Sequence, residues 1–399
     1  MHSQGPGREC ARFGDGHEGP QLSNLHNKLP ISKWIIAIIK SFSFHYKSAN
    51  PRIINNVKWT VFLVGLSPTV SSERRTADLS PARRLHTQNS VVGVDGGGTK
   101  TEAVIIDVNQ RVIGEGRAGP SNPLRVGIAG AAAAVREAID SACASAKLRR
   151  NDLVTAQIGL AGARRRELRE RMRETLAPLG IGEIEVVTDA DIALYGATDG
   201  APGLVVIAGT GSICCGINAR RRRFCAGGWG PIAGDEGGGA WLARRALRAV
   251  AYAFDGRGPK TVLTDLACSY FHVTTPDDLT TAIYAPTITN ERLAGFGRDV
   301  VDAAKSKDPV ALQIVADGGS ELGRAAVAVI RHLQLDRERF QIAHVGGVFR
   351  AAGDLMLDTL RAEVRKVAPR AFFEPPHFAP AVAAARMARE RINHVALAV

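Results

Sequence analysis

The stretch Val91-Val92-Gly93-Val94-Asp95-Gly96-Gly97-Gly98-Thr99-Lys100 sets the pattern for the rest of the chain. A short apolar run ends in the carboxylate of Asp95, and three glycines follow it at once. Two further strand-like runs, at residues 103–107 and 111–115, are separated by a polar turn. Because strands of this length are bounded by turn residues, the pattern predicts a strand, a tight glycine turn and a hairpin.

The second half of the chain begins in the same way. The apolar run Leu204-Val205-Val206-Ile207-Ala208 leads into Gly209-Thr210-Gly211-Ser212, and a second hairpin pattern follows over residues 213–226. A glycine turn with a hydroxyl residue on two successive hairpins is an internal repeat. The repeat predicts two related lobes, each of which presents a glycine turn to one cleft.

Helices and strands are predicted to alternate between the two hairpins, at residues 128–147, 155–160, 164–177 and 183–188. This order implies a mixed sheet covered by helices, which is an α/β architecture. We therefore expect a first lobe at residues 90–202 and a second lobe at residues 203–379. A C-terminal helix at residues 380–392 is expected to pack back onto the first lobe.

Residues 1–88 differ in composition from the body of the chain. They hold 12 of the 51 basic residues and 5 of the 39 acidic residues, and so carry +7 of the net charge of +12. They show no sustained helical or strand period. We expect residues 1–89 to be a disordered, dispensable extension or sequence translated upstream of the true start, with an organelle transit peptide as the alternative. The body then offers no basic surface for nucleic acid.

Composition favours a soluble globular protein. Apolar residues make up 45% of the chain and charged residues 23%, which is ordinary for such a protein. No apolar run approaches the roughly 20 residues that a membrane helix needs. The six cysteines lack CxxC spacing, and the adjacent Cys214 and Cys215 are expected to be small core residues. We predict a cytoplasmic protein without a zinc site or a disulfide framework.

The two glycine turns suit phosphate binding. The first is not a Walker A loop, because Thr99 separates the last glycine from Lys100. The second is followed by a strand rather than by the helix of a dinucleotide-binding fold. Glycines still let backbone N–H groups face one anion, and the hydroxyls of Thr99 and Ser212 add donors. Two facing turns could hold the β and γ phosphates of a nucleotide, with Asp95 meeting Mg²⁺ directly or through water.

Residues 93–101 resemble the first phosphate motif of the superfamily that contains sugar kinases, heat-shock ATPases and actin. More narrowly, the chain from about residue 91 to 392 resembles the BadF/BadG/BcrA/BcrD ATPase family, which includes N-acetylglucosamine kinases. The other motifs that agree in order are Gly119-Pro120-Ser121-Asn122-Pro123, Thr188-Asp189-Ala190, Ala208-Gly209-Thr210-Gly211-Ser212, Gly227-Gly228-Trp229-Gly230, Gly234-Asp235-Glu236-Gly237 and Val345-Gly346-Gly347-Val348. The resemblance implies two ribonuclease H-like lobes with a nucleotide and sugar cleft between them, which is the actin-like ATPase fold.

The resemblance also implies roles for single residues. ATP and Mg²⁺ are the implied cofactors, with Asp95 on the metal side. The implied nucleotide contacts are Gly96, Gly97, Gly98, Thr99, Lys100, Gly209, Thr210, Gly211, Ser212, Gly346 and Gly347. The implied sugar contacts are Asn122, Asp189, Gly228, Trp229 and Asp235.

Asp189 is the implied catalytic base, since a carboxylate can accept the proton of an attacking sugar hydroxyl. The assigned residues also have simpler alternatives: the two glycine turns could be ordinary hairpin turns, and Gly346-Gly347 could be a turn that ends a strand. Asp189 could cap the helix that follows it, Trp229 could be a core side chain, and Asn122 could be a turn residue between two prolines.

Two other features are expected to be ordinary. The arginine runs at residues 164–166 and 220–223 lie at a predicted helix start and hairpin turn, and we expect them to be solvated. The C-terminal helix lacks the glycine that the family has near Ala383, which leaves its closeness to the first lobe open.

The sequence thus predicts an ATP-dependent kinase of the 6-hydroxyl of N-acetylglucosamine or a close amino sugar. One alternative is an ATPase that activates a 2-hydroxyacyl-CoA dehydratase or a benzoyl-CoA reductase, but the cysteines have no cluster-like spacing. Another is a non-catalytic sugar-sensing regulator, but residues 1–88 lack the pattern of a DNA-binding helix-turn-helix. The expected partners are a small amino sugar and, in a homodimer, a second copy of the chain; neither nucleic acid nor membrane is expected.

Overall fold

The computed structural model describes residues 89–397, with side chains to Ile392, and the expectations for residues 1–88 lie outside this range. The strands of its first sheet are β1 (Ser90–Gly96), β2 (Thr101–Ile106), β3 (Val112–Ala118), β4 (Leu153–Leu160) and β5 (Glu183–Thr188). Their order is β3-β2-β1-β4-β5, with β1 antiparallel to β2 and parallel to β4. The apolar run at the start of β1 occupies the centre of the sheet, where Val91, Val92 and Val94 are fully buried.

The helices that follow these strands are α1 (Pro123–Ala146), α2 (Arg166–Leu176) and α3 (Asp189–Thr198). Helix α1 lies directly on β3, since a Cβ on Gly116 would come within 2.1 Å of the Ala138 carbonyl oxygen. Helix α1 begins before the predicted residue 128 because the side chain of Asn122 caps it by accepting from the Leu124 N–H. We call the first sheet with α1 and α2 the first lobe.

The second sheet repeats the arrangement of the first. Its strands are β6 (Gly203–Ala208), β7 (Ser212–Ile217), β8 (Arg223–Gly227), β9 (Gln341–Val345) and β10 (Phe372–Phe373). Their order is β10-β9-β6-β7-β8, with β6 antiparallel to β7 and parallel to β9. Each sheet is therefore an antiparallel meander extended by two parallel strands. The predicted α/β class with two related lobes is confirmed.

The helices of the second half are α4 (Gly239–Phe254), α5 (Leu263–Phe271), α6 (Leu279–Ile283), α7 (Asn290–Lys305), α8 (Pro309–Leu333), α9 (Gly347–Ala352) and α10 (Asp354–Arg365). Their apolar faces form one core with the second sheet, and this core includes the fully buried Phe296 and the nearly buried Phe340. We call the second sheet with these helices the second lobe.

The last helix, α11 (Pro380–Leu397), returns to the first sheet and extends beyond the predicted residue 392. It lies on β1 because Gly93 leaves room: a Cβ there would come within 2.0 Å of the Ala385 backbone nitrogen. Ala383, near which the resemblance implies a glycine, is fully buried, and the close approach to α3 is made through Gly196 instead. The small residue that the packing needs is thus supplied by the opposing element.

One expectation about the cysteines is wrong. Cys214 and Cys215 are buried as predicted, but Cys215 forms a disulfide with Cys225. The two residues lie directly opposite each other on the antiparallel strands β7 and β8. Spacing along the sequence did not reveal the pair, because only the hairpin register brings the residues face to face.

The helices between residues 89 and 397 do not combine the length and the apolar character that crossing a bilayer requires.

Candidate active site

The first glycine turn joins β1 to β2. The Gly97 N–H donates to the Lys100 carbonyl oxygen over 2.9 Å and closes the turn. Gly96 is enclosed, since a Cβ there would lie 2.3 Å from Ser121 Oγ and 2.4 Å from Leu160 Cδ2. At Gly97 the nearest atom would be 3.3 Å away, and at Gly98 only the end of a flexible arginine approaches, at 3.0 Å. The turn is anchored at Gly96 and open at the next two glycines, where a phosphate could approach the backbone.

Thr99 and Lys100 are exposed at the tip of this turn. Lys100 Nζ donates to Glu102 Oε2 over 2.7 Å. Arg117 forms a second ion pair with the same carboxylate, at 3.4 Å. Lys100 is therefore held over the exposed surface of β2, and it would have to leave Glu102 to reach a nucleotide.

Residues 119–122 are fastened to the first turn. The Ser121 N–H donates to the Gly97 carbonyl oxygen over 3.0 Å. Asn122 Oδ1 accepts from the Leu124 N–H, so this oxygen caps α1 at the turn between the two prolines. The same oxygen lies where a Cβ on Gly162 would come within 2.4 Å of it. Its Nδ2 group, which donates to no described residue, is the part of Asn122 left for a ligand.

The second glycine turn joins β6 to β7 and is held by the start of α4. The Gly239 N–H donates to the Gly209 carbonyl oxygen over 2.8 Å, and the Ala240 N–H donates to the Thr210 carbonyl oxygen over 3.1 Å. Ser212 is buried, and its hydroxyl donates to the Glu236 carbonyl oxygen over 2.6 Å. This hydroxyl, expected to be a phosphate donor, is therefore already engaged, whereas Thr210 is exposed.

Gly346 lies against the second turn. It has a φ of +117°, and a Cβ on it would come within 2.1 Å of the Ala208 carbonyl oxygen. Only glycine fits both the backbone angle and this approach. The turn at Gly346 and Gly347 and the turn at residues 209–212 thus adjoin at the ends of β9 and β6, as a shared nucleotide site requires.

Asp235 connects the second turn with the segment at residues 227–230. Its Oδ1 lies 3.5 Å from the Ser212 backbone nitrogen, and a Cβ on Gly211 would come within 2.5 Å of its Oδ2. Burial raises the pKa of Asp235, while hydrogen bonds from the backbone of Ser212 and Gly230 oppose this. The carboxylate is therefore within reach of both the predicted phosphate turn and the predicted sugar segment.

Asp189 is the first residue of α3, and the helix cap is its neighbour Thr188. Thr188 Oγ1 accepts from the Asp191 N–H over 3.1 Å, and Asp191 Oδ2 accepts from the Thr188 N–H, also over 3.1 Å. The capping alternative for Asp189 is therefore wrong. Its Oδ1 accepts from the adjacent Ala190 N–H over 2.9 Å. Asp189 is partly exposed to solvent. The protein around the rest of the residue desolvates its carboxyl group, and this desolvation raises the pKa of Asp189.

Asp95 at the end of β1 and Asp189 just after β5 form an acidic pair at one edge of the first sheet, with β4 between their strands. In the sheet, Asp95 is level with Gly159 of β4, which is level with Val187 of β5. The pKa of Asp95 is raised to about 6, mainly by burial and in part by the nearby charge of Asp189. Two desolvated carboxylates that repel each other suit a site that a cation or a proton will neutralise.

Asp95 could hold Mg²⁺ together with a bound nucleotide. Among the side chains described, at residues 89–392, three or more from His, Cys, Asp or Glu do not converge anywhere as a metal cage. Mg²⁺ bound to a nucleotide needs no such cage, since one or two carboxylates, phosphates and waters complete its shell. The uncompensated carboxylate of Asp95 fits that arrangement.

Trp229 lies at the surface of the second lobe with 69% of its area exposed, so the core alternative for this residue is wrong. The guanidinium of Arg164, from the loop after β4 in the first lobe, lies 4.8 Å from the centre of the Trp229 ring. Arg164 Nη1 also donates to the Gly228 carbonyl oxygen over 3.1 Å. The predicted sugar segment is thus contacted from the opposite lobe.

Three arginines expected to be solvated make specific contacts. Besides Arg164, Arg221 Nη1 donates to the Gly200 carbonyl oxygen over 2.7 Å, and Arg223 pairs with Asp191 at 2.5 Å. The charge runs gave no sign of these contacts, because each partner lies far from its arginine in sequence or on another element.

Comparison with curated proteins finds relatives along most of the described chain. An N-acetylmuramic acid/N-acetylglucosamine kinase of Clostridium acetobutylicum is 34% identical over 259 residues, which is 65% of this chain and 85% of that protein. An N-acetyl-D-glucosamine kinase of Dictyostelium discoideum is 30% identical over 293 residues, which is 70% of this chain and 91% of that protein. A glucosamine kinase of Vibrio cholerae is 29% identical over 245 residues, which is 60% of this chain and 80% of that protein.

Solved structures show the same fold. A protein of Chromobacterium violaceum assigned as an N-acetylglucosamine kinase superposes with a TM-score of 0.64 at 27% identity, over 76% of this chain and 99% of that one. A Porphyromonas gingivalis protein with the same assignment gives a TM-score of 0.57 at 19% identity, over 76% and 99%. The second likeness concerns the fold alone.

The family comparison covers the whole site described above. The profile of the BadF/BadG/BcrA/BcrD ATPase family matches residues 92–388, a span that includes both glycine turns, Asp95, Asp189 and Trp229. The chain belongs to the BadF/BadG/BcrA/BcrD ATPase family.

Proposed function

We propose that this protein is an ATP-dependent kinase that transfers the γ-phosphoryl group to the 6-hydroxyl of N-acetylglucosamine or a close amino sugar. The observation that carries the proposal is the acidic pair of Asp95 and Asp189 beside the first glycine turn, because Thr188 leaves Asp189 free of capping. The relatives of 29–34% identity, whose names are amino-sugar kinases, support it.

The two glycine turns would bind the phosphates of ATP. The N–H groups of Gly98 and Gly211 would donate to phosphate oxygens, with Thr99, Thr210 and a released Lys100 adding side-chain donors. Gly97 and Gly209, whose N–H groups close their own turns, would leave room for the phosphates to approach. Gly96 would anchor the first turn, Ser212 would anchor the second, and Gly346 and Gly347 would leave space on the adenosine side. Mg²⁺ would be held by Asp95, directly or through water, and would neutralise charge on the phosphates.

Asp189 would act as the catalytic base. Its raised pKa makes its carboxylate a better proton acceptor than that of an ordinary aspartate. When the sugar hydroxyl attacks phosphorus, the O–H proton passes to Asp189 and the new P–O bond forms as the bond to the leaving ADP oxygen breaks.

The sugar would lie between the lobes beside the segment at residues 227–230. Gly228 would let the backbone approach the ring, Asp235 would accept hydrogen bonds from hydroxyls, and Asn122 Nδ2 would donate from the first lobe. The exposed ring of Trp229 would cover the apolar side of the sugar. These assignments extend the family resemblance to individual residues of this chain.

The proposal is tested by supplying ATP, Mg²⁺ and one sugar at a time from a panel of N-acetylglucosamine, glucosamine, N-acetylmuramic acid and N-acetylmannosamine. We expect one or more to give a sugar phosphate, with phosphorus NMR placing the phosphate on O6. ATP hydrolysis without any sugar phosphate would contradict the proposal and favour the ATPase-activator alternative.

Three further expectations are part of the proposal. We place the enzyme in the cytoplasm because its proposed co-substrate, ATP, is supplied there. We propose that it acts as a homodimer, which sedimentation would test. We keep the boundaries at residues 90–202 and 203–379 for the two lobes and treat residues 1–89 as an extension outside them.

A further inference from the structure

Two arginines of the first lobe reach residues of the second lobe across the proposed cleft. The first is Arg164, which donates to the Gly228 carbonyl oxygen over 3.1 Å and lies over the Trp229 ring at 4.8 Å. Its loop is braced by Arg169, whose Nη1 donates to the carbonyl oxygens of Ala163 over 2.9 Å and of Arg164 over 2.7 Å. The position of Arg164 is thus fixed from its own lobe.

The second is Arg125 on α1. Its Nη1 donates to the Gly98 carbonyl oxygen of the first glycine turn over 3.2 Å. The same atom lies 3.2 Å from Oε1 of Glu291 on α7, in the second lobe. Arg125 therefore ties the predicted phosphate turn to the opposite lobe.

These bridges differ from the permanent connections between the lobes. Helix α3 follows β5 of the first sheet and packs on β6, β7 and β9 of the second through buried side chains such as Ala190 and Leu194. The two arginine bridges instead connect segments that the proposed ligands touch, and they are made of exposed side chains. Exposed ion pairs and cation–π contacts are individually weak, and weak contacts suit a closure that must reverse in each cycle.

We propose that Arg164 and Arg125 are positioning residues that hold the two lobes closed during phosphoryl transfer. Arg164 acts at the sugar segment through Gly228 and Trp229, and Arg125 acts at the first phosphate turn through Gly98 and Glu291. The inference rests on the proposed function, because the ligand assigned to each side comes from it. Neither arginine has to touch a reacting atom.

Each side makes a different kinetic prediction. Arg164→Gln should raise the KM for the sugar about two- to fivefold, which is the scale of one exposed cation–π contact, and leave the KM for ATP unchanged. Arg125→Gln should raise the KM for ATP more than the KM for the sugar. Glu291→Gln should reproduce the effect of Arg125→Gln, since it removes the interlobe half of that bridge.

The chain offers matched controls. Arg166 belongs to the same arginine run as Arg164 but pairs with Glu170 of its own helix at 2.7 Å. Arg150 pairs with Asp140 inside the first lobe at 3.0 Å, with exposure similar to that of Arg125. Arg166→Gln and Arg150→Gln should therefore leave both KM values within about twofold of the wild type.

Closure can be measured directly by small-angle scattering of the full chain. With a non-hydrolysable ATP analogue and the sugar, the radius of gyration should fall in the wild type and in both controls, and fall less in the Arg164→Gln, Arg125→Gln double variant. Variants that behave like their controls, or that raise both KM values equally while lowering Tm, would overturn the proposal. A wild type that phosphorylates no sugar would contradict the proposed function instead, and scattering with the analogue alone would still decide the role of Arg125.

Discussion

At the level of single residues, the cap of α3 determines how Asp189 can be tested. Thr188 and Asp191 cap the helix between them, so Asp189→Asn should not lower the stability of the fold while it removes the proton acceptor. We expect kcat to fall by about 10²–10⁴, with little change in ATP affinity measured by calorimetry. Thr188→Ala is the control: it should cost about 1 kcal/mol of stability. An Asp189→Asn enzyme within about threefold of the wild-type kcat, with phosphoryl transfer rate-limiting, would exclude the base.

The raised pKa of Asp95 gives a second test at this level. Its pKa moves from 3.8 to about 6 on folding, so the ionised carboxylate destabilises the folded state. The penalty is absent below about pH 4, grows as pH rises to about 6, and is complete above that, where about two pKa units correspond to roughly 3 kcal/mol. Asp95→Asn should therefore raise the free energy of unfolding in urea at pH 8 by more than at pH 5, while abolishing most activity. An equal effect at both pH values would contradict this.

At the level of secondary-structure elements, the two ends of the first glycine turn should respond differently to the same substitution. Gly96→Ala would place a Cβ 2.3 Å from Ser121 Oγ and should lower stability by about 1–3 kcal/mol. Gly97→Ala would meet its nearest atom at 3.3 Å and should fold normally. It should nonetheless weaken ATP binding several-fold and sugar binding hardly at all, because the Cβ occupies the approach of the phosphate. Calorimetry with each ligand separately measures both, and an unchanged ATP affinity would remove the phosphate assignment of residues 96–99.

The elements that the sequence predicted well are those whose signal is local. An apolar run that ends in a glycine turn is complete within about ten residues, and β1, β6 and their turns were found where expected. The spacing of Thr188 and Asp191 is that of a capping box and indicates where α3 begins. Asp189, one position after Thr188, is also a common capping residue, so the sequence alone did not decide which of the two caps the helix. Contacts set by register or by lobe packing, such as Cys215–Cys225 and Arg164–Trp229, left no local pattern to read.

At the level of the whole molecule, helix α11 holds the backbone that leads into β1. The nearly buried Arg389 of α11 donates through Nη2 to the Asn89 carbonyl oxygen. A chain starting at Ser90 would lose this acceptor and place a charged amino terminus near the guanidinium. We expect it to be about 1–3 kcal/mol less stable than a chain starting at Thr87, as measured by urea unfolding, and we expect the longer chain to keep its kcat. Equal stability of the two chains would show that the Asn89 contact contributes nothing.

Helix α11 also has a consequence for the order in which the chain is made. The strands of the second lobe are complete once residue 373 has left the ribosome, whereas β1 still lacks the helix that covers Gly93 and Val91. Although domains usually fold in the order of their synthesis, here the part of the fold that is translated first waits for the part that is translated last. A polypeptide stalled or cleaved before residue 380 would contain a complete second lobe and a first lobe whose sheet is uncovered. Its N-terminal half would then be the part exposed to quality-control proteases.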